Sequence, residues 1–257
     1  MLYLMGLGLR GASSLTIEES TVIRNSSRIF FETYTSISPE GTIRQLEEMF
    51  SKKIEPLGRK EVEDASEIIK LAGSEDVCLI VTGDPLSATT HNQLRADAID
   101  AGVEVDVMEN ASILSVIPGK IGLFPYRMGP PVSLPFPYDI FLPRSVCDKI
   151  MSNTRSGLHT IVLLDLKDGR TMYPYEALET LLRMEEKYVV GAIEPSTSIF
   201  SVSQVSQNGE KLIYDKVQNI IDLRSEDSPS ALVIPAELNH NEEYFASKFT
   251  KKCSYFR

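Results

Sequence analysis

Two periodicities of hydrophobic and polar positions alternate along the first part of the chain. Short apolar runs, of the kind found in buried strands, occupy residues 1–5, 28–34, 77–81 and 103–108. Apolar positions repeat every three or four residues, as in amphipathic helices, over residues 14–27, 60–72 and 89–101. This alternation predicts an α/β fold around a mostly parallel sheet, whose ligands bind beyond the carboxyl ends of the strands.

Prolines and glycines interrupt this pattern between residues 117 and 143, which favours a connection between two modules. We place the boundary near Pro118. It divides the chain into an N-terminal α/β domain of residues 1–117 and a C-terminal α/β domain of residues 118–257. In the second domain the same criteria predict strands at residues 160–164, 188–193 and 231–234, a helix at residues 174–187 and a short helix after residue 242.

The composition narrows the classes of partner. The chain has 257 residues, of which 42% are hydrophobic and 24% charged, as is typical of a globular protein. Its formal net charge of −10 argues against nucleic acid and anionic membranes as partners, because such a surface repels phosphate groups. Three cysteines without a C-x-x-C pair favour a reducing compartment. The apolar start lacks a basic leader, and no apolar run approaches the ~20 residues of a membrane helix, so we expect a cytoplasmic protein.

The glycine pattern Gly6-x-Gly8-x-x-Gly11 follows the first predicted strand, and Glu32 lies near the end of the second. A dinucleotide-binding fold places a glycine-rich turn and a ribose-binding acid at these positions, so one hypothesis is an NAD-dependent oxidoreductase. The glycines lead into Ala12-Ser13-Ser14 rather than directly into a helix, which leaves no helix N-terminus for a pyrophosphate. We favour a turn that lets the backbone approach a different ligand.

Other polar segments lie beside predicted strands. They are residues 82–91, which contain Gly83-Asp84-Pro85, residues 109–113, and Gly157-Leu158-His159-Thr160 ahead of Leu163-Leu164-Asp165. A carboxylate, hydroxyl groups and an imidazole gathered after a central strand favour a binding site in the first of these segments. The three histidines, His91, His159 and His240, are too scattered for zinc-ligand spacing, so no metal is predicted.

Four runs along the chain occur in the order found in one known family. They are Tyr3-Leu4-Met5-Gly6-Leu7-Gly8-Leu9, Gly83-Asp84-Pro85 followed by Ala88-Thr89-Thr90-His91, Asn110-Ala111-Ser112-Ile113, and Gly157-Leu158-His159-Thr160 with Leu163-Leu164-Asp165. Together they resemble the diphthine synthase family, and the resemblance covers nearly the whole chain. That family is part of the tetrapyrrole-methylase-like group of S-adenosylmethionine-dependent methyltransferases, whose fold differs from that of the Rossmann methyltransferases.

The resemblance implies two α/β domains, a homodimer, and the methyl donor S-adenosyl-L-methionine bound in a ligand cleft between the domains. The implied reaction trimethylates the amino group of a 3-amino-3-carboxypropyl histidine on translation elongation factor 2, a step of diphthamide biosynthesis. Carried over by motif, the donor contacts are Leu9, Asp84, Ser87, Ser112, Ile113 and Leu163. Two further implied contacts are Glu194 and Ser230. There the sequence departs from the family, which usually has an Ala-Arg-x-Gly-Ser type of run at the first position and often histidine at the second.

The catalytic residues are not identified from the sequence. A sulfonium methyl is already activated, so orienting the amine lone pair supplies most of the rate. Aromatic residues of the proline-rich stretch, Tyr126, Phe136 and Tyr138, are candidate walls for a cationic product. Two alternatives remain open: the oxidoreductase, which depends on Glu32, and a non-catalytic binding module.

Overall fold

The computed structural model describes residues 1–137, 142–167 and 169–256, and the chain divides into two compact units, Met1–Ile113 and Leu114–Arg257. The division lies four residues before the boundary expected from the sequence. It falls at the start of helix α6 (Ile113–Ile121), which contains Pro118 in its interior. The first half of the proline-rich stretch thus begins as a helix rather than as a linker.

The first unit is a parallel sheet covered by helices on both faces. Its strands are β1 (Leu2–Gly6), β2 (Arg28–Glu32), β3 (Glu55–Leu57), β4 (Val77–Val81) and β5 (Val105–Met108), and its helices are α1 (Ile17–Asn25), α2 (Thr42–Phe50), α3 (Arg59–Asp64), α4 (Ser66–Ala72) and α5 (His91–Asp100). The strand order is β3-β2-β4-β1-β5. Apolar side chains of one sheet face pack with α1 and α2, and those of the other face pack with α3, α4 and α5. Strand β4 is therefore buried along its whole length, as a continuous apolar run predicts.

The second unit is built around a mostly antiparallel sheet. Its strands are β6 (Val132–Leu134), β7 (Thr160–Leu164), β8 (Leu166–Lys167), β9 (Arg170–Thr171), β10 (Ser198–Ser203), β11 (Lys211–Lys216) and β12 (Ser230–Ile234), and its remaining helices are α7 (Arg144–Arg155), α8 (Pro174–Tyr188), α9 (Val217–Leu223) and α10 (His240–Phe249). The main sheet has the order β11-β10-β12-β7-β6, in which β6 and β7 are parallel and the other pairs are antiparallel. Helices α7, α8 and α9 contribute apolar side chains to its core.

Several predicted elements are confirmed and two are corrected. The strands predicted at residues 77–81 and 160–164 have those bounds. The helix predicted over residues 60–72 is broken at Ala65, whose φ of +56° ends α3 and starts α4. The strand predicted at residues 188–193 is wrong, because α8 continues to Tyr188 and the chain then turns through a left-handed Val189.

Candidate active site

Three predicted site segments follow neighbouring strands at one edge of the first sheet. Strand β1 lies between β4 and β5, and the register pairs Gly6 with Val81 and Met5 with Met108. Because the three strands are parallel, the turns that follow them leave the sheet at the same edge, where ligands of such sheets bind. The predicted contacts carried by these turns are Leu9 after β1, Asp84 and Ser87 after β4, and Ser112 and Ile113 after β5.

The turns after β1 and β4 pack backbone against backbone. The Gly8 amide donates to the Gly83 carbonyl and the Gly83 amide donates to the Gly8 carbonyl, each at 2.9 Å. Gly8 has a φ of +62°, and a Cβ on Gly6 would lie 2.7 Å from the Gly83 carbonyl oxygen. Both positions therefore require glycine. The chain continues as a short 3-10 helix at Gly11–Ser14, and the first α-helix begins only at Ile17.

The Asp84 carboxylate shapes its own turn. Its Oδ1 accepts hydrogen bonds from the Leu86 amide at 3.1 Å and the Ser87 hydroxyl at 2.7 Å, and its Oδ2 accepts the Asn110 amide at 3.3 Å. A carboxylate has about four acceptor positions, so these three bonds leave capacity for a further donor. Asp84 joins the turn after β4 to the segment after β5 and is able to accept a hydrogen bond from a ligand.

Asn110 ties the segment after β5 to the glycine-rich turn. Its side-chain amide nitrogen lies 3.1 Å from the Gly6 carbonyl and 3.1 Å from the Glu19 carboxylate. The backbone amide of Asn110 donates to the Asp84 carboxylate. The turns after all three strands are thus joined by hydrogen bonds. Asn110 belongs to one of the runs that resemble the family, but the sequence alone indicates no role for it.

Space for a side chain is left beside the backbone of Gly83, although the residue itself is buried. A Cβ built on Gly83 would meet only the Ala111 carbonyl, at 3.9 Å, whereas one built on Gly6 or Gly8 would meet the protein at 2.7 Å. Leu9, Asp84, Ser87 and Ile113 are half-buried, and Ser112 is buried. This mixture of polar and apolar side chains suits a neutral nucleoside carrying a charged sulfonium. The residues present therefore fit the methyl donor that the resemblance implies.

Glu32 does not have the role that the oxidoreductase hypothesis required. Its carboxylate is 1% exposed. It accepts hydrogen bonds from the amides of Tyr34 and Thr35 and from the Thr35 hydroxyl. These contacts anchor the segment that follows β2, so the carboxylate is not presented to a ribose. The oxidoreductase hypothesis therefore lacks the ribose-binding acid that it requires.

In the second unit, Leu163 and Ser230 lie side by side at one edge of the sheet. The antiparallel register of β7 and β12 pairs Leu163 with Ala231, the neighbour of Ser230. The Ser230 hydroxyl contacts that of Ser203 at 2.7 Å and donates to the Asp227 carbonyl at 2.6 Å. Both predicted contacts thus belong to one edge, where β7 ends and β12 begins.

Glu194 is at the other end of the same sheet. It precedes β10, and because β10 is antiparallel to β12, its first residues lie beyond Val233 rather than near Ser230. The side chain is exposed, and it accepts a hydrogen bond from the Ser196 hydroxyl. The structure therefore does not bring Glu194 together with Leu163 and Ser230.

The turn after β10 occupies the edge at which Glu194 was expected. Ser203, the last residue of β10, pairs with Ser230. The chain then passes through Gln204 and Ser206, both with positive φ, and the Gln204 amide donates to the Pro229 carbonyl at 2.8 Å. This turn is not among the predicted features, although residues 203–209 are polar apart from Val205 and end in Asn-Gly, which is typical of a turn.

The aromatic residues proposed as pocket walls have different surroundings. Phe136 lines a depression of about 280 Å³ in the second unit, and the Arg170 guanidinium lies 4.9 Å from its ring centroid. Tyr126 is 75% exposed and stacks on Phe124. Tyr138 lies outside the described residues.

His159 has a structural environment. Its Nδ1 accepts the Ala236 amide at 3.0 Å, so its Nε2 carries the hydrogen that is donated to Glu242 at 3.1 Å. Burial lowers the pKa of His159, although the Glu242 carboxylate opposes this effect. Arg127 contacts the other oxygen of Glu242. The cluster joins the start of β7 to α10, at the end of the sheet opposite to Leu163.

Comparisons with known proteins agree with this architecture. Residues 1–220 match the model of the tetrapyrrole (corrin/porphyrin) methylases. A diphthine synthase of Thermoplasma acidophilum is 41% identical over 254 residues, which cover 99% of this chain and 97% of that protein. A diphthine methyl ester synthase of Saccharomyces cerevisiae is 34% identical over 261 residues, covering 95% and 87%.

Solved structures show the same fold. A crystal structure of a diphthine synthase superimposes with a TM-score of 0.88 at 25% identity, over 97% of this chain and 95% of that one. A structure from Entamoeba histolytica gives a TM-score of 0.88 at 29% identity, over 98% and 99% of the two chains. Among the helices of the described residues, none has the length and apolar content needed to cross a membrane.

Proposed function

The chain belongs to the tetrapyrrole (corrin/porphyrin) methylase family, and from this premise we propose that it acts as a diphthine synthase. It transfers methyl groups from S-adenosyl-L-methionine to the amino group of the 3-amino-3-carboxypropyl histidine of translation elongation factor 2, up to the trimethylated product. The observation that carries this proposal is the meeting of three turns, after β1, β4 and β5, at one edge of a parallel sheet. These turns carry the residues that match the family.

The donor binds at this edge and contacts Leu9, Asp84, Ser87, Ser112 and Ile113. Asp84 accepts a hydrogen bond from the donor through the acceptor capacity that Leu86, Ser87 and Asn110 leave unused. The flat part of the nucleoside lies beside Gly83, where a Cβ would meet only the Ala111 carbonyl oxygen, at 3.9 Å. Leu163 and Ser230 are the further donor contacts that the family resemblance implies. Glu194 is a weaker candidate, because it lies at the opposite end of its sheet.

The chemistry requires orientation more than activation. The sulfonium methyl is already reactive, and alignment of the amine lone pair with the methyl–sulfur bond is worth about 7–11 kcal/mol. Hydrogen bonds between the three turns hold their backbones in one arrangement, which favours a defined orientation of the donor. The amine must lose one proton before each of the three methyl transfers, to water or to a carboxylate.

The protein partner is elongation factor 2, and we propose that the enzyme acts in the cytoplasm as a homodimer. The net charge of −10 supports a partner with a locally basic surface rather than a nucleic acid. Size-exclusion chromatography with light scattering measures the mass, for which a dimer of the 28.6 kDa chain is expected.

Titration calorimetry tests the assignment. We expect the purified protein to bind S-adenosylhomocysteine and not NAD. Incubation of S-adenosylmethionine with elongation factor 2 that already carries the 3-amino-3-carboxypropyl histidine should add three methyl masses to that histidine, as measured by mass spectrometry. Failure to bind S-adenosylhomocysteine at millimolar concentration would refute the proposed function.

The variant Asp84→Ala tests the site within that function. Loss of the carboxylate breaks the hydrogen bonds that hold the turn after β4 and removes an oxygen that accepts a hydrogen bond from the methyl donor. We therefore expect Kd for S-adenosylhomocysteine to rise about tenfold or more, which corresponds to about 1.4 kcal/mol. Asp100→Ala, at the exposed end of α5, is the matched control and should leave Kd unchanged. Equal affinities of the two variants would remove Asp84 from the site.

A further inference from the structure

His91 is buried directly behind the turn that follows β4, and the proposed chemistry gives it no role. The residue is 1% exposed, and its Nδ1 lies 2.9 Å from the Pro85 carbonyl oxygen. A carbonyl oxygen only accepts hydrogen bonds, so Nδ1 carries the hydrogen and donates it. The first residue of α5 is in this way bound to the middle of the turn that contains Asp84.

The Pro85 carbonyl lies at the centre of the contacts that shape this turn. The Thr89 hydroxyl also donates to it. The ring of Pro85 packs against the glycine-rich turn, since its Cδ lies 3.0 Å from the place that a Cβ on Gly6 would occupy. A shift of Pro85 would therefore move Asp84 on one side and disturb the contact with Gly6 on the other.

The other ring nitrogen of His91 makes no hydrogen bond to any described residue. Its Nε2 faces the Glu32 carboxylate, with 3.9 Å between Nε2 and Oε2. That distance exceeds hydrogen-bonding range, and Glu32 already accepts three hydrogen bonds from Tyr34 and Thr35. Among the described residues, the bond to Pro85 is consequently the one that fixes the imidazole ring.

We propose that His91 is a positioning residue whose hydrogen bond from Nδ1 to Pro85 holds the Gly83-Asp84-Pro85 turn in its donor-binding conformation. This inference rests on the proposed function, because it assigns His91 to the same donor site. A histidine that only filled space would be replaceable by an apolar side chain of similar size. A positioning histidine requires a hydrogen-bond donor at the place of Nδ1.

Three substitutions separate these roles. The amide nitrogen of asparagine takes the place of Nδ1, that of glutamine takes the place of Nε2, and leucine supplies volume without a donor. We expect His91→Leu and His91→Gln to raise Kd for S-adenosylhomocysteine about tenfold, which corresponds to about 1.4 kcal/mol. The Kd of His91→Asn should stay within about threefold of the wild-type value. His240→Asn, an exposed histidine of the second unit, is the control and should have no effect.

Hydrogen exchange gives a readout that does not depend on the donor. The Leu86 amide bonds to Asp84, so peptides covering residues 82–90 should exchange faster in His91→Leu and His91→Gln than in His91→Asn, while peptides of β1 remain unchanged. In steady-state kinetics the KM for the methyl donor should rise more than kcat falls.

The outcomes distinguish the two proposals. If the unmodified protein does not bind S-adenosylhomocysteine, the proposed function fails. If it binds, and the three variants bind equally well or are equally impaired, the positioning role of His91 is refuted alone. Should His91→Leu and His91→Gln fail to fold, His91→Asn carries the test, because it keeps a donor at the place of Nδ1. Loss of S-adenosylhomocysteine binding by folded His91→Asn would refute the proposal.

Discussion

The two sheets position their predicted site residues in different ways. In the first unit, all five predicted contacts follow strands β1, β4 and β5 and reach one edge. In the second unit, Leu163 and Ser230 share an edge, but Glu194 lies at the opposite end. The comparison shows what a sequence motif is able to locate. A segment that follows a strand has a fixed edge in a parallel sheet, whereas in an antiparallel sheet the edge depends on the direction of each strand.

The largest expected loss of donor affinity comes from disrupting the contact between the turns that follow β1 and β4. In Gly6→Val the added Cβ would lie 2.7 Å from the Gly83 carbonyl oxygen, which is backbone and cannot move aside. Overpacking of this kind costs about 3 kcal/mol, so we expect affinity for S-adenosylhomocysteine to fall about a hundredfold or more. Calorimetry measures the affinity, and circular dichroism verifies that the variant is folded.

The control for this substitution is a glycine that no close approach requires. Gly119 is exposed within α6, and a Cβ there would meet no other atom within 4 Å. Gly119→Ala should raise the free energy of unfolding by about 0.5 kcal/mol and leave donor affinity unchanged. Normal donor affinity in folded Gly6→Val would show that the contact between the two turns does not support the site.

Much of the first unit was predictable because its signals are local. A continuous apolar run such as that of β4 identifies a strand covered on both faces, and glycines after β1 indicate a close backbone approach. The burial of Glu32 was not predictable. Its three hydrogen bonds come from Tyr34 and Thr35, whose turn conformation no periodicity in the sequence reveals.

Titratable groups make the second unit sensitive to acid. Burial lowers the pKa of His159 below 6.5. Burial alone would raise the pKa of Glu242, but hydrogen bonds from Asn239 and His159 outweigh this effect and lower the pKa of Glu242 below 4.5. In both cases the unfolded state binds protons before the folded state does, so stability falls as the pH drops from 7 through these values. Below pH 6.5, His159 contributes a slope of at most about 1.4 kcal/mol per pH unit until the folded state is protonated as well.

The variant His159→Gln isolates this contribution. Glutamine places an amide nitrogen where Nε2 donates to Glu242 but leaves the Ala236 amide without its acceptor, which costs about 2 kcal/mol at pH 7, and it removes the slope assigned to His159. Urea unfolding measured between pH 5 and 7.5 gives both quantities. His240→Gln, on an exposed residue, should retain the slope of the unmodified protein. An unchanged slope in His159→Gln would exclude His159 as its origin.

The second unit was less predictable because its decisive strand lacks an apolar signature. Strand β10 contains Ser201 and Ser203, which are buried at 2% and 4% exposure. Hydropathy therefore favoured a strand at residues 188–193, where α8 in fact ends and the chain turns. With β10 misplaced, neither the edge occupied by Glu194 nor the turn at Gln204 could be derived. Buried serines that pair across strands are a tertiary feature, since their burial depends on partners distant in sequence.

The smallest expected effect tests the antiparallel half of the comparison directly. Leu163 lies at the edge shared with Ser230, so Leu163→Ala should raise Kd for S-adenosylhomocysteine about threefold to tenfold through loss of apolar contact. Glu194→Ala should change Kd less than twofold, because strand direction places that side chain at the far end of the sheet, exposed and bonded to Ser196. Calorimetry on the two variants side by side gives the ratio. A larger loss of affinity in Glu194→Ala than in Leu163→Ala would mean that the motif located the Glu194 contact correctly. Strand direction would then be a poor guide to which edge binds the donor.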